Sequence, residues 1–414
     1  MQHIIKKITL LSPLILILAT PNLQARTSVS SSMSIGGYYI QTDQDSHEES
    51  SSGNTAELLI GINSEGNSYQ LNSQYSGNYI VDYEADQSNF LAIGSTSLTL
   101  GNPARNYGLQ LLHSARPVNQ NDTLDPLELD FNNTISVSPF AGFNVGRKTN
   151  LNVYSRHSFL WNTNEKLSAR DNRLGTNLVH NISDTQSANL LYQLNYNESL
   201  GDNPDNTLIH SVQAGWKRQS RKLETSAYIG FDFTDSDNSD DTKVVTFGLR
   251  ERYQDTDYSW SLGFRRGVTT ELLETTDTNT ADTDTENYRN TVVEDRLTVE
   301  FISTMLCRSC QLSSSVIAIR SNDYDANDKD SNLLFNLGLE QRIQSDTSIQ
   351  LRYQNTLDYA GSWFYDHIST RNTFGAGLHY VFTRKLSANL STDYAIEDED
   401  SQLIATLSLA YLFY

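Results

Sequence analysis

Leu403-Ile404-Ala405-Thr406-Leu407-Ser408-Leu409-Ala410-Tyr411-Leu412-Phe413-Tyr414 closes the chain. Leu403, Ala405, Leu407, Leu409, Tyr411 and Phe413 are apolar at every second position. Side chains two apart on a β-strand share a face, so this stretch predicts a strand with one fully apolar side. An alternating last strand that ends in aromatics is also the kind of signal that barrel insertion machinery reads. Leu409, Tyr411, Phe413 and Tyr414 carry it here, with Tyr414 one residue beyond the apolar stripe.

The same period of two recurs upstream, where a helix would repeat near 3.6. Leu386, Ala388, Leu390 and Tyr394 alternate with Ser387, Asn389, Ser391 and Asp393. Phe374, Ala376, Leu378, Tyr380 and Phe382 alternate with Thr373, Gly375, Gly377 and His379. Ile349, Leu351 and Tyr353 do so with Gln350, Arg352 and Gln354, and Leu333, Phe335, Leu337 and Leu339 with Asn336, Gly338, Glu340 and Arg342. Further back, Ala188, Leu190, Tyr192, Leu194 and Tyr196 oppose Asn189, Gln193, Asn195 and Asn197.

Between these segments, short turns alternate with longer acidic connections. Ser183–Gln186, Ser220–Lys222, Gln254–Asp257, Gln344–Asp346 and Thr383–Lys385 are short, whereas Thr234–Thr242, Val268–Tyr288, Ser321–Asp330 and Tyr359–Thr370 are long. Short periplasmic turns and long outer loops are the layout of outer-membrane barrels. The reading is an all-β chain forming a single antiparallel transmembrane β-barrel of about 16–20 strands. The prolines agree with it, since Pro103, Pro117, Pro126 and Pro204 fall in expected turns or loops and Pro139 at an expected strand end.

The N-terminus reads as a targeting segment. Lys6 and Lys7 precede an apolar run from Ile8 to Ala19, and Leu23-Gln24-Ala25 suits a small-residue cleavage site. Residues 1–25 are therefore expected to be a signal peptide and 26–414 the barrel domain. The Ser-rich stretch from Arg26 to about Met33 is expected to be a short periplasmic tail. No later stretch approaches the roughly 18 apolar residues that a membrane helix needs, which leaves strands as the crossing elements.

Composition fits. Only 37 % of the residues are hydrophobic, low for a soluble core of 414 residues but suited to a barrel whose interior is polar. The 22 Tyr and 15 Phe suit the two membrane–water interfaces. A net charge of −20 argues against a nucleic-acid partner, which would call for a basic face. Outer-membrane lipid, lipopolysaccharide and the barrel assembly machinery are the expected partners, in the outer membrane of a Gram-negative bacterium.

The two cysteines, Cys307 and Cys310, stand in the run Cys-Arg-Ser-Cys. A local disulfide is the plain reading in an oxidising periplasm, and free thiols are the alternative. A redox motif would need a βαβ context, and zinc would need further ligands nearby.

The segment Ser138-Pro139-Phe140 leading to Arg147 and Leu151–Ser158, together with Tyr380–Ser387, resembles the β-barrel porin group that includes outer-membrane proteins associated with PEP-CTERM and exopolysaccharide gene clusters. The resemblance implies an outer-membrane barrel and a link to polysaccharide export components. It carries over no site residues.

No motif calls for a cofactor or a metal. There is no His-Glu-x-x-His and no Gly-x-Ser-x-Gly. His113-Ser114 and His157-Ser158 are adjacent, so on a strand they point to opposite faces and cannot act as base and nucleophile together. Asp323, Asp325, Asn327 and Asp330 look like a calcium loop, but Asp328 and Leu334 stand where that pattern needs Gly and Glu. An enzyme is therefore not expected. Arg250, Arg252, Arg265, Glu340, Arg342 and Arg352 fall on polar strand faces and are the candidates for lumen-facing charges that tune a pore. Two functions remain open from the residues: a pore or export conduit, and a non-conducting structural or surface-interaction barrel with acidic outer loops. A membrane-embedded hydrolase is a third, weaker reading.

Overall fold

The computed structural model describes residues 26–413 apart from 45–46, 85, 102–105, 119–129, 162–166, 201–205, 238–240, 271–290, 306–308, 324–328, 361–365 and 399. The expected signal peptide, Cys307, Tyr414 and the Thr/Asp-rich stretch at 271–290 lie outside the described residues.

Twenty strands fill the rest. The first ten are β1 (Arg26–Gln44), β2 (His47–Gly66), β3 (Tyr69–Asp82), β4 (Gln87–Leu100), β5 (Tyr107–Val118), β6 (Asp130–Gly146), β7 (Thr149–Trp161), β8 (Leu167–Ser183), β9 (Gln186–Ser199) and β10 (Asn206–Gln219). The others are β11 (Leu223–Ser236), β12 (Thr242–Gln254), β13 (Tyr258–Thr270), β14 (Thr291–Ser303), β15 (Cys310–Asp323), β16 (Lys329–Arg342), β17 (Thr347–Ala360), β18 (Asp366–Val381), β19 (Leu386–Glu397) and β20 (Asp400–Leu412). Each pairs antiparallel with its neighbours in sequence, and β20 pairs back onto β1 from Ser32↔Leu412 to Asp43↔Ser401. The sheet is thus a closed barrel, and closure is what lets a sheet sit in hydrocarbon with no unpaired edge.

Register separates the two faces, because residues directly opposite one another point the same way. Ile35↔Leu409, Leu58↔Met33, Leu178↔Leu190, Ile229↔Phe247 and Leu339↔Leu351 belong to one face. Almost all the large exposed apolar side chains share it. That face is the exterior. The other face carries Asn, Gln, Ser and Thr and the ion pairs Lys217–Glu224, Arg265–Glu294, Arg352–Asp393 and Arg371–Glu397, and it lines the lumen. The shortest strands have 12 residues, more than the roughly 9–11 that a tilted crossing needs.

The two rims differ. Two residues join β8 to β9, and three join β10 to β11 and β12 to β13, all at the end where β20 finishes. The opposite end carries the long connections, so it is the outer side. On the short-turn side, Lys222 Nζ meets Asp255 Oδ2 at 2.6 Å and ties two successive turns together. That ammonium and the Thr256 N–H hold the Asp255 carboxyl down to about 2.

Two expectations are corrected. The Ser-rich stretch from Arg26 to Met33 is not a tail but the first part of β1, paired with β2 from Arg26↔Glu65 onward. Serine on both faces hides the period of two there. Pro117 and Pro139 lie inside β5 and β6 rather than in a loop and at a strand end. Pro139 sits opposite Leu109, and on its other side the ladder to β7 skips from Val137↔His157 to Phe140↔Tyr154. The missing N–H falls where pairing is already interrupted, which is how a barrel strand tolerates it.

Candidate functional site

The lumen wall across β11 to β14 concentrates charge. Arg250 lies opposite Ser226 and Gly263, Arg252 opposite Glu224 and Ser261, and Arg265 opposite Gly248 and Arg296. All four arginines therefore face the lumen. A concavity of about 410 Å³ lies in this wall, lined among others by Tyr228, Arg250, Ser261, Arg265, Arg296 and Glu300. Tyr228 lies over Gly248, where a Cβ would overlap the ring, so the glycine seats the aromatic flat against the sheet.

Compensation within this wall is partial. Arg265 places Nη2 at 2.5 Å and Nε at 3.2 Å from Glu294 Oε1. Lys217 Nζ reaches Glu224 Oε1 at 2.8 Å, and the Ser261 hydroxyl donates to Glu300 Oε2 at 2.6 Å. Among the described residues, Arg250, Arg252 and Arg296 enter no ion pair. Arg265 and Arg296 are cross-strand partners of like charge, an arrangement that costs the sheet stability. The wall is thus a cationic patch in a chain that is acidic overall.

The remaining candidates sit elsewhere on the lumen face. Arg352 Nη2 bonds both oxygens of Asp393, at 2.9 and 3.1 Å, reaching across β18 from β17 to β19. Gly375 lies between them in register, and a Cβ there would overlap Asp393 Oδ1. Gly375→Val is expected to part the pair and cost about 1–3 kcal/mol by overpacking. In a urea-unfolding double-mutant cycle with Asp393→Asn, the second change is then expected to add almost nothing. Glu340 borders a concavity of about 320 Å³ with Gln350, His379 and Asn389, and Arg342 ends β16 at the short-turn rim.

Sequence reasoning missed Lys217, Glu294, Arg296 and Glu300. The signal was present in β14, where Glu294, Arg296, Thr298 and Glu300 alternate with Asp295, Leu297, Val299 and Phe301. The adjacent His–Ser pairs are split between the faces. His113 Nδ1 bonds the Tyr75 hydroxyl outside, and Ser158 bonds Ser136 at 2.8 Å inside. Cys310 is disulfide-bonded, and no other cysteine lies within the described residues. Among the described residues no group of three His, Cys, Asp or Glu could hold a metal.

A closed antiparallel barrel with an apolar exterior and a polar, charged interior is a transmembrane β-barrel of the outer-membrane class, and the apolar exterior puts it in a lipid bilayer. No protein family matches the chain, and no curated protein does. Solved outer-membrane barrels are similar to it. The FrpB iron transporter from Neisseria meningitidis (F3-3 variant) is 8 % identical over 93 % of this chain and 81 % of that one, with a TM-score of 0.52. Pseudomonas aeruginosa OccK2 (OpdF) is 10 % identical over 93 % and 97 %, at 0.43. A loop L8 deletion mutant of OmpT, an outer membrane protein of Vibrio cholerae, is 10 % identical over 94 % and 99 %, at 0.40. At 8 % identity the likeness to FrpB is one of fold.

Proposed function

We propose that the protein is an outer-membrane pore whose lumen passes small hydrophilic solutes, with the arginine wall of β12 to β14 favouring anions. The observation that supports this most is a closed 20-stranded sheet with a polar, charged interior. Strands about 4.8 Å apart and tilted by about 40° give a backbone radius of roughly 20 Å, enough for an aqueous lumen after side chains are added. Unpaired arginines on a lumen wall raise the local anion concentration and set ion preference.

The test is ion selectivity in planar bilayers under a salt gradient. The wild-type barrel is expected to prefer chloride over potassium. Arg250→Ala/Arg252→Ala/Arg265→Ala is expected to lower that preference several-fold at similar conductance. An unchanged reversal potential would remove the arginines from the account.

A link to exopolysaccharide export is the finer reading, and what supports it is the resemblance at Ser138–Arg147 and Tyr380–Ser387. Loss of surface polysaccharide on deletion of the gene, restored by the intact chain, would bear on it directly. Residues 1–25 act as a cleaved signal in the same reading. N-terminal sequencing of the membrane-extracted protein is expected to begin at Arg26, where β1 also begins.

A further inference from the structure

A glycine on a barrel wall leaves a gap in the lining unless a neighbour fills it, and such gaps let a ligand approach the backbone. Gly248 and Gly263 are diagonal neighbours on the lumen face of β12 and β13, with opposite outcomes. The Tyr228 ring fills the gap at Gly248. At Gly263 a Cβ would meet nothing within 4 Å, so its backbone is the open floor of the concavity of about 410 Å³.

Register places cations round that floor. Arg250 lies directly opposite Gly263, Arg265 follows it by two positions on β13, and Arg296 is the cross-strand partner of Arg265. Side chains at such positions start within about 8 Å of one another, so three guanidinium groups can reach one point above Gly263. Arg250 and Arg296 enter no ion pair among the described residues. Glu294 takes N–H donors from Nε and Nη2 of Arg265, which leaves the Nη1 donors for a ligand. Three guanidinium groups suit a group with three acceptor oxygens and a charge of about −1.5 to −2, which is a phosphate monoester. A carboxylate has two oxygens and one charge, and a single arginine fork satisfies it. The rest of the lining suits a polyol ring. Tyr228 lies flat on Gly248 and turns its other face to the concavity, an apolar platform for a ring's C–H face. Thr298 faces Gly263 across the ladder, and the Ser261 hydroxyl and Glu300 stand one row nearer the short turns, where they can meet sugar hydroxyls.

We propose that this concavity is a binding site for a phosphorylated sugar, with the phosphoryl group over Gly263 between Arg250, Arg265 and Arg296 and the sugar ring on Tyr228. The site deepens the pore reading above and rests on its assignment of this wall to the lumen. Simple anions compete for the phosphoryl half alone, and neutral sugars for the Tyr228 half alone.

Isothermal titration of the refolded full-length barrel in detergent tests it without needing a current, with glucose-6-phosphate as the probe and glucose and inorganic phosphate as comparators. The wild type is expected to bind glucose-6-phosphate about tenfold tighter than either comparator. Gly263→Leu covers the floor and keeps all three arginines. It is expected to weaken glucose-6-phosphate binding by about tenfold while leaving the reversal potential of bilayer currents unchanged. Arg250→Ala/Arg296→Ala is expected to weaken both phosphate ligands, and Tyr228→Leu only glucose-6-phosphate. Heat-modifiable migration checks that each variant is folded. No binding by the wild type, or equal affinity for glucose-6-phosphate and inorganic phosphate, would overturn the site and leave an anion-selective pore untouched. Undiminished binding by Gly263→Leu would overturn it as well. Binding that follows these variants in a barrel that passes no current would instead keep the site and remove the pore.

Discussion

Ile229→Arg is expected to destabilise the barrel by about 2–4 kcal/mol in a lipid bilayer, the cost of a lipid-facing cation near the midplane. Ile229 lies mid-strand on β11, its side chain is 59 % exposed, and its cross-strand partners are Ala214 and Phe247. Phe231 and Phe233 continue the same stripe toward the outer rim. Long side chains escape part of the cost by reaching for the interface, but both interfaces are several residues away. Gln213 provides the control. It lies on β10 opposite Gly230 and faces the lumen. Gln213→Arg is expected to shift stability by less than about 1 kcal/mol, as exposed substitutions usually do. Urea unfolding in liposomes, followed by tryptophan fluorescence, measures both. Equal costs at the two positions would mean that the inside and outside of the barrel have been exchanged.

Removing Tyr411 to Tyr414 is expected to abolish assembly rather than weaken it. Tyr411 and Leu412 form the last closing pairs of the barrel, with Met33 and Ser32. The Phe413 N–H donates to Ser31 O at 2.8 Å, and the Leu412 N–H to Lys385 O at 2.8 Å. The Tyr411 and Phe413 rings meet edge to face at 5.1 Å. Without these residues, β1 and β19 keep unpaired backbone groups at the membrane interface, and each buried unpaired group costs several kcal/mol in hydrocarbon. Semi-native electrophoresis of membrane fractions reads the outcome, with loss of the fast-migrating folded band expected. Wild-type amounts of that band would show that closure does not depend on this segment.

Much of this fold is legible in the sequence, and the reasons are physical. In β9 and β16 to β20, Leu, Tyr and Phe alternate with Asn, Gln, Ser and Arg, so each strand states its own lipid face. In β1 the residues Ser30, Ser31 and Ser32 occupy both faces and state nothing, which is why the strand reads as a tail. Pro139 misleads in the other direction, because proline argues against a strand interior and only the interrupted ladder to β7 makes room for it.

The site is less legible than the fold. Arg250, Arg252 and Arg265 stand out as charges on polar faces. That Arg265 opposes Arg296 is a matter of register between β13 and β14, which a connection at 271–290 separates in sequence. Arg352 and Asp393 lie 41 positions apart and meet only because Gly375 leaves room between them. Arg266, Asp295 and Arg320 stand on the exterior faces of β13, β14 and β15, and only the register of those strands brings them into one row.

Single-channel recording of the refolded, heat-modifiable barrel in a planar lipid bilayer tests the central claim most directly. The account predicts stepwise conductance that grows with salt concentration and a reversal potential that favours the anion. A correctly folded barrel that inserts and passes no current would contradict the open pore and leave a structural, non-conducting barrel in its place.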